Sequence, residues 1–215
     1  MWLSCATGQL EAQTYTVGLD QAQYTVVEGG SVDVVVVLTE EIAAGQTARL
    51  APGNNDGLFA FGTGLDFSSF TGAANGSTFN SLVLDPLFTG GSANSGEDVT
   101  VGPGVVSFEG TEDFTNDADG EPGVTGTMVS ATVWELSLAT LTFDAGDLNS
   151  LTTLQLQDHV APDASPFIFA NGAGAGVTPP VAFSSSTILV VPEPAAASLI
   201  FLGLGAGLFR RKRDR

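Results

Sequence analysis

The sequence predicts an all-β fold, a sandwich of antiparallel sheets followed by one C-terminal transmembrane α-helix, and three observations carry that prediction. Between Tyr15 and Val191 no stretch shows the 3.6-residue apolar period of an amphipathic helix. Short runs of β-branched and aromatic residues recur there instead, separated by clusters of Gly, Asn, Asp and Pro. After them comes a long uncharged apolar run, Ala195 to Phe209. Many short strands with glycine-rich punctuation and no intervening helices make a two-sheet sandwich or a barrel. The 215 residues suffice for one such domain plus a tail.

Taken in order, YTVGL and QYTVV open the series, and EGG turns the chain into SVDVVVVLT (Ser31 to Thr39). That run is apolar on both pleat faces, with Val32, Val34, Val36 and Leu38 on one side and Val35 and Val37 on the other, which marks a central strand. LFAFGTGLDF and STFNSLVL follow, on either side of the turn TGAANG, and GVVSFEG comes after GGSANSG. TMVSATVWELSLATLTF (Thr127 to Phe143) is too long for one flat strand and is expected to bend near Glu135 to Ser137, with Trp134 in the core. LTTLQLQ, FIFA and TILVV complete the set. The stretch Gly110 to Gly126 is long, acidic and glycine-rich, and predicts a loop that is either disordered or ordered by an ion.

Charge is distributed very unevenly. Five of the six cations, Arg210, Arg211, Lys212, Arg213 and Arg215, lie in the last six residues, which leaves Arg49 alone in the rest. Met1 to Phe209 holds 23 acids, all 24 except Asp214, so one cation against 23 acids gives that part a formal charge of −22. A body of this charge is repelled by phosphate backbones, so no nucleic-acid partner is expected. Carboxylates attract divalent cations, which makes calcium the one cofactor to consider, against the alternative of a solvated acidic surface. Asp117, Asp119 and Glu121 in NDADGE form the candidate site, with Asn116 beside them, although the outer carboxylates of an EF-hand loop are missing. Asp144, Asp147 and Asn149 in DAGDLN offer a similar set.

Catalytic residue types are scarce. His159 is the single histidine, placed beside Asp158 before Pro162 and expected as a solvated loop residue, and Cys5 is the single cysteine. Neither a His-assisted nucleophile nor a His/Cys zinc site can be built from one of each. Paired carboxylates for glycoside cleavage would draw first on Glu109, Glu112, Asp113 and Glu135. No aromatic and carboxylate constellation accompanies them, so no enzyme is expected and no catalytic residue is assigned. A glycan-binding platform would draw on Phe59, Phe61, Phe67 and Phe70, whose alternation otherwise places them in the core.

The C-terminal run would span about 22 Å as a helix, short against roughly 30 Å of bilayer hydrocarbon. It is apolar on every side, and the RRKR behind it suits a stop-transfer flank held in the cytoplasm, whose long side chains can extend the span by snorkelling. The order Pro192-Glu193-Pro194, apolar helix, then Arg210, Arg211, Lys212 and Arg213 resembles the PEP-CTERM sorting signal of Gram-negative bacteria. That resemblance, confined to the last 24 residues, implies export, transient residence in the inner membrane, processing by an exosortase, and delivery to the cell surface or an exopolysaccharide matrix. Residues 1–14 depart from it. They hold neither a basic segment nor a seven-residue apolar stretch, and are expected either as the remnant of a longer signal peptide or as a short tail.

In the body, expected over residues 15–191, YTVVEGGSVDVVVVL and the later LSLATLTFDAGD resemble the opening and late strands of cohesin-like, immunoglobulin-type surface modules. The resemblance implies a β-sandwich. The function expected is therefore a non-enzymatic exported surface or matrix protein, with two alternatives: a carbohydrate-binding or adhesive module stabilised by calcium, and a glycan-active enzyme using carboxylates.

Overall fold

A computed structural model describes residues 13–53, 56–88, 97–112, 123–159, 167–171 and 176–193. They form fourteen strands: β1 (Thr14–Leu19), β2 (Gln23–Val27), β3 (Ser31–Glu41), β4 (Asp56–Asp66), β5 (Phe70–Thr71), β6 (Thr78–Leu84), β7 (Glu97–Gly102) and β8 (Val105–Thr111), then β9 (Thr127–Ser130), β10 (Val133–Asp144), β11 (Leu151–Asp158), β12 (Ile168–Asn171), β13 (Val181–Phe183) and β14 (Ser185–Val191). The one helical element described is a 3-10 turn, Pro86–Phe88. No described helix is long and apolar enough to cross a membrane. Residues 194–215, on which the predicted transmembrane segment falls, lie outside the described residues.

Two sheets face each other. The first runs β13-β1-β3-β10-β6, with β9 extending the β6 edge along β10, and the second runs β2-β14-β11-β4-β8-β7, with β12 on β4 and β5 on β11. β3 is central, as its two-sided apolar pattern predicts: Val34, Val36 and Leu38 are fully buried, while Val35 and Val37 are half-buried on the outer face. Each of the three inward side chains contributes about 1.5–3 kcal/mol by leaving water. Two aromatic clusters fill the interior. Phe61 meets Phe88 edge-on at 5.0 Å and Phe108 at 6.3 Å, and Phe67, Phe79 and Phe143 form a triangle with ring centroids 5.4–6.3 Å apart.

The antiparallel expectation holds except at two pairs. β1 runs parallel to β13, and β2 runs parallel to β14. The first and last segments of the body travel in the same direction, and each crosses from the first sheet to the second, so neighbours that began parallel stay parallel. The amide of Ser184, at the later crossing, donates to the carbonyl of Val17 (3.0 Å) and ties the two together.

The long ribbon also breaks elsewhere than predicted. The turn lies at Ala131 and Thr132, between β9 and β10, and a bulge shifts the β3 register between Ser137 and Ala139. The bulge absorbs the twist of a twelve-residue strand without ending it. Trp134 is half-buried and packs against the edge of the core.

Candidate functional site

The two ends of β3 and β10 are built differently. At the Glu41–Val133 end, Glu40 is in phase with Val34, Val36 and Leu38 and is completely buried. Its Oε1 accepts from the Tyr15 hydroxyl (3.1 Å) and the Arg49 amide (2.9 Å), and its Oε2 accepts from the Leu50 amide (2.8 Å). Burial first, and then the Glu40 charge, push the Tyr15 hydroxyl above its ordinary value, so it remains a donor. Arg49 donates to the Ala170 carbonyl (3.4 Å) and sits 3.8 Å from Asp56. The single cation of the body thus stitches the loop after β3 to the second sheet.

At the Ser31–Asp144 end lies an open cleft of about 350 Å³, lined by Phe67, Ser68, Phe70, Asn75, Gly76, Ser77, Thr78, Pro103 and Gly104. Three separate segments meet there. The Asp66 carboxylate accepts from the Ser68 amide (2.8 Å) and turns the chain as β4 ends. The Phe67 amide donates to the Gly104 carbonyl (2.8 Å), pinning the β7–β8 turn against that corner. Gly104 has φ of +73°, and a Cβ on it would lie 2.7 Å from Cβ of Ser68, so only glycine fits. The Asp147 carboxylate accepts from both the amide (2.9 Å) and the side chain (3.0 Å) of Asn75, and the Ser77 amide donates to Oγ1 of Thr152 (2.7 Å).

The result is a rigid ledge. Phe70 packs closely on Gly76, where an added Cβ would be 2.7 Å from Cγ and 2.8 Å from Cβ and Cδ1 of the side chain. The side chain is 42% exposed, whereas Phe67 beside it is anchored in the core triangle. Ser68, Asn75 and Thr78 surround the ring as exposed polar residues, and Pro103 adds a second exposed apolar wall. Chemically, the site offers one aromatic face with hydroxyl and amide groups around it and no cation.

The other sequence candidates distribute as follows. Of the four phenylalanines, Phe61 is core, Phe59 and Phe67 are half-buried, and Phe70 alone presents its ring. Glu109 alternates with buried Phe108 on the second sheet and Glu135 with buried Leu136 on the first, so the two point outward from opposite layers about 10 Å apart and do not pair. His159, directly after β11, is buried with its Nδ1 unpartnered rather than solvated; it is out of phase with the strand's inward Thr152, Leu154 and Leu156, so its burial is set where the chain leaves the strand. Asp144 accepts from Asn80 and Asp147 from Asn75, so the DAGDLN carboxylates serve as turn locks. Among the described residues no cluster of three His, Cys, Asp or Glu could hold a metal. Asp113, Asp117, Asp119 and Glu121 lie outside them, as do Pro194 and Arg210, Arg211, Lys212 and Arg213. Pro192 and Glu193 are exposed, directly after β14.

No family model and no curated protein matches this chain. Among solved structures it is similar to CaCohA2 of Clostridium acetobutylicum, with 14% identity, a TM-score of 0.46, and 82% of this chain and 91% of that one covered. It is also similar to two structures from Clostridium thermocellum described as type I cohesin–dockerin complexes. For Coh-OlpA–Doc918 the identity is 9% and the TM-score 0.48, covering 83% of this chain and 99% of that one. For Coh-OlpC–Doc435 the values are 8% and 0.48, with 84% and 94% covered.

Proposed function

We propose that this is a non-enzymatic exported protein of the cell surface or extracellular matrix of an exopolysaccharide-producing Gram-negative bacterium. Residues 192–215 are its sorting signal: Pro192, Glu193 and Pro194 are read by an exosortase-type enzyme while 195–209 sit in the inner membrane and the basic cluster stays in the cytoplasm. The observation that carries this reading is the segregation of charge, with 23 acids and Arg49 as the one cation before residue 210 and the other five cations from Arg210 on. Two features support it. Arg49 already has a structural task within the body, and β14 closes the second sheet at Val191, leaving Pro192 and Glu193 exposed rather than packed. Deleting Pro192–Arg215 should turn a membrane-retained protein into a soluble one in cell fractionation, and intact-mass measurement of mature protein from the native host should show loss of the tail. Membrane retention of the truncated chain would refute the proposal.

A second role, as an adhesive module that holds polysaccharide, is favoured by one observation, the half-exposed Phe70 ring on the cleft ledge.

A further inference from the structure

We infer that the cleft at the Ser31–Asp144 end is a preformed subsite for a neutral polysaccharide chain, with Phe70 as its stacking platform; this rests on the adhesive reading above and names its ligand and site. A pyranose ring presents a patch of C–H groups on one face and hydroxyls around its rim, so its receptor needs an apolar plane bordered by hydrogen-bonding groups. Phe70 supplies the plane. The base of its side chain packs closely against the bare backbone of Gly76, and the residue stays 42% exposed above the cleft. The hydroxyls of Ser68 and Thr78 have no protein partner among the described residues and stand at the rim. The Asn75 side chain is held by Asp147 through its amide nitrogen, which keeps its carbonyl oxygen in a set orientation.

Charge selects among glycans. The cleft contains no Lys or Arg, and it belongs to a chain whose residues 1–209 carry a formal charge of −22, so uronic-acid and sulfated polymers are repelled while uncharged chains are not. Openness selects for a polymer: the site is a ledge rather than an enclosed pocket, so a chain can cross it and leave at both sides. The supporting shell is rigid, tied by the Phe67–Gly104, Asn75–Asp147 and Ser77–Thr152 hydrogen bonds, and binding therefore orders little that was loose before.

The test uses the full chain in mild detergent, run on native gels cast with dextran, galactomannan or xyloglucan. The protein migrates as an anion and these matrices do not, so binding reads as retardation. At least one of the three should retard the wild type, Phe70→Ala should weaken that binding about tenfold, and Phe70→Tyr, which keeps the ring, should restore it. Soluble alginate should not compete. No retardation by any of the three overturns the adhesive reading and the site with it. Retardation that Phe70→Ala leaves unchanged keeps the adhesive reading and overturns this site, and competition by alginate overturns the preference for neutral chains. Because Phe70 is half-exposed, loss of folding is checked by the unfolding midpoint, and the tyrosine variant separates ring chemistry from packing.

Discussion

The two ends of the β3–β10 pair solve the same problem, holding irregular connections against a sandwich, by opposite means. At one end a fully buried carboxylate, Glu40, gathers three donors from two places in the chain, Tyr15 and the neighbouring Arg49 and Leu50. Both oxygens of that carboxylate are satisfied internally, and it is not offered to solvent. At the other end the connections rest on each other through glycine backbone, and the carboxylates Asp66 and Asp147 work from the exposed side. That second arrangement leaves an aromatic ring and hydroxyls uncovered. Density of hydrogen bonding therefore does not separate the two ends; what separates them is that the cleft leaves polar and apolar surface without an internal partner.

The largest effect should come from breaking the first end. Glu40→Ala strands the Tyr15 hydroxyl and the amides of Arg49 and Leu50 in a dry interior, and should cost about 3 kcal/mol in urea unfolding. Glu40→Gln should recover only part of this, because its amide group turns a donor toward one of the three. A loss below about 1 kcal/mol for the alanine variant would mean that this end is not held by the carboxylate.

Glu40 also shows what could be read before any coordinates. Its position two residues beyond Leu38 puts it in phase with the inward valines, so its burial follows from a strict period of two. The existence of most strands in the middle of the chain was legible for the same reason, since each run carries its own alternation. The parallel pairs were not, because which edges the first and last strands join depends on the path of the whole body. The turn at Ala131 and Thr132 carries no Gly, Pro, Asn or Asp, so composition drew the break toward Glu135 instead. The cleft was legible only in fragments. Phe67 and Phe70 stand where strand β4 has ended, so alternation no longer predicts their direction, and TGAANG reads as a turn with no sign of the ring it supports. His159 was misplaced because its burial is out of phase with the inward residues of β11 and depends on the path of the chain where that strand ends.

A smaller effect sharpens the other side of the comparison. Gly76→Ala places a methyl group against the Phe70 ring and should destabilise the protein by about 1–2 kcal/mol, the usual cost of overpacking, while abolishing retardation by neutral polysaccharide. If the clash is the cause, the double variant Gly76→Ala with Phe70→Ala should be more stable than the sum of the two single changes predicts. Strict additivity would mean that the ring does not rest on the ledge.

The smallest expected effect is alkaline. Burial is the first cause of the raised pKa of both Tyr15 and Tyr24, reinforced by Glu40 in one case and Asp20 in the other. The ordinary tyrosine value is about 10. With a folded value above it, each hydroxyl keeps its proton in the native state at pH values where the unfolded chain has lost it. Their stabilising contribution is therefore fully present below pH 10 and falls as pH rises beyond it. Unfolding midpoints measured on either side of that pH should be flat below and decline above, and Tyr15→Phe should make the decline shallower by removing the share that belongs to the Glu40 end. Tyr24→Phe should remove the remainder. An alkaline decline that Tyr15→Phe leaves as steep as in the wild type would show that the Tyr15–Glu40 contact does not hold that proton, and the contrast between a sealed end and an open one would then rest on the backbone amides of Arg49 and Leu50 alone.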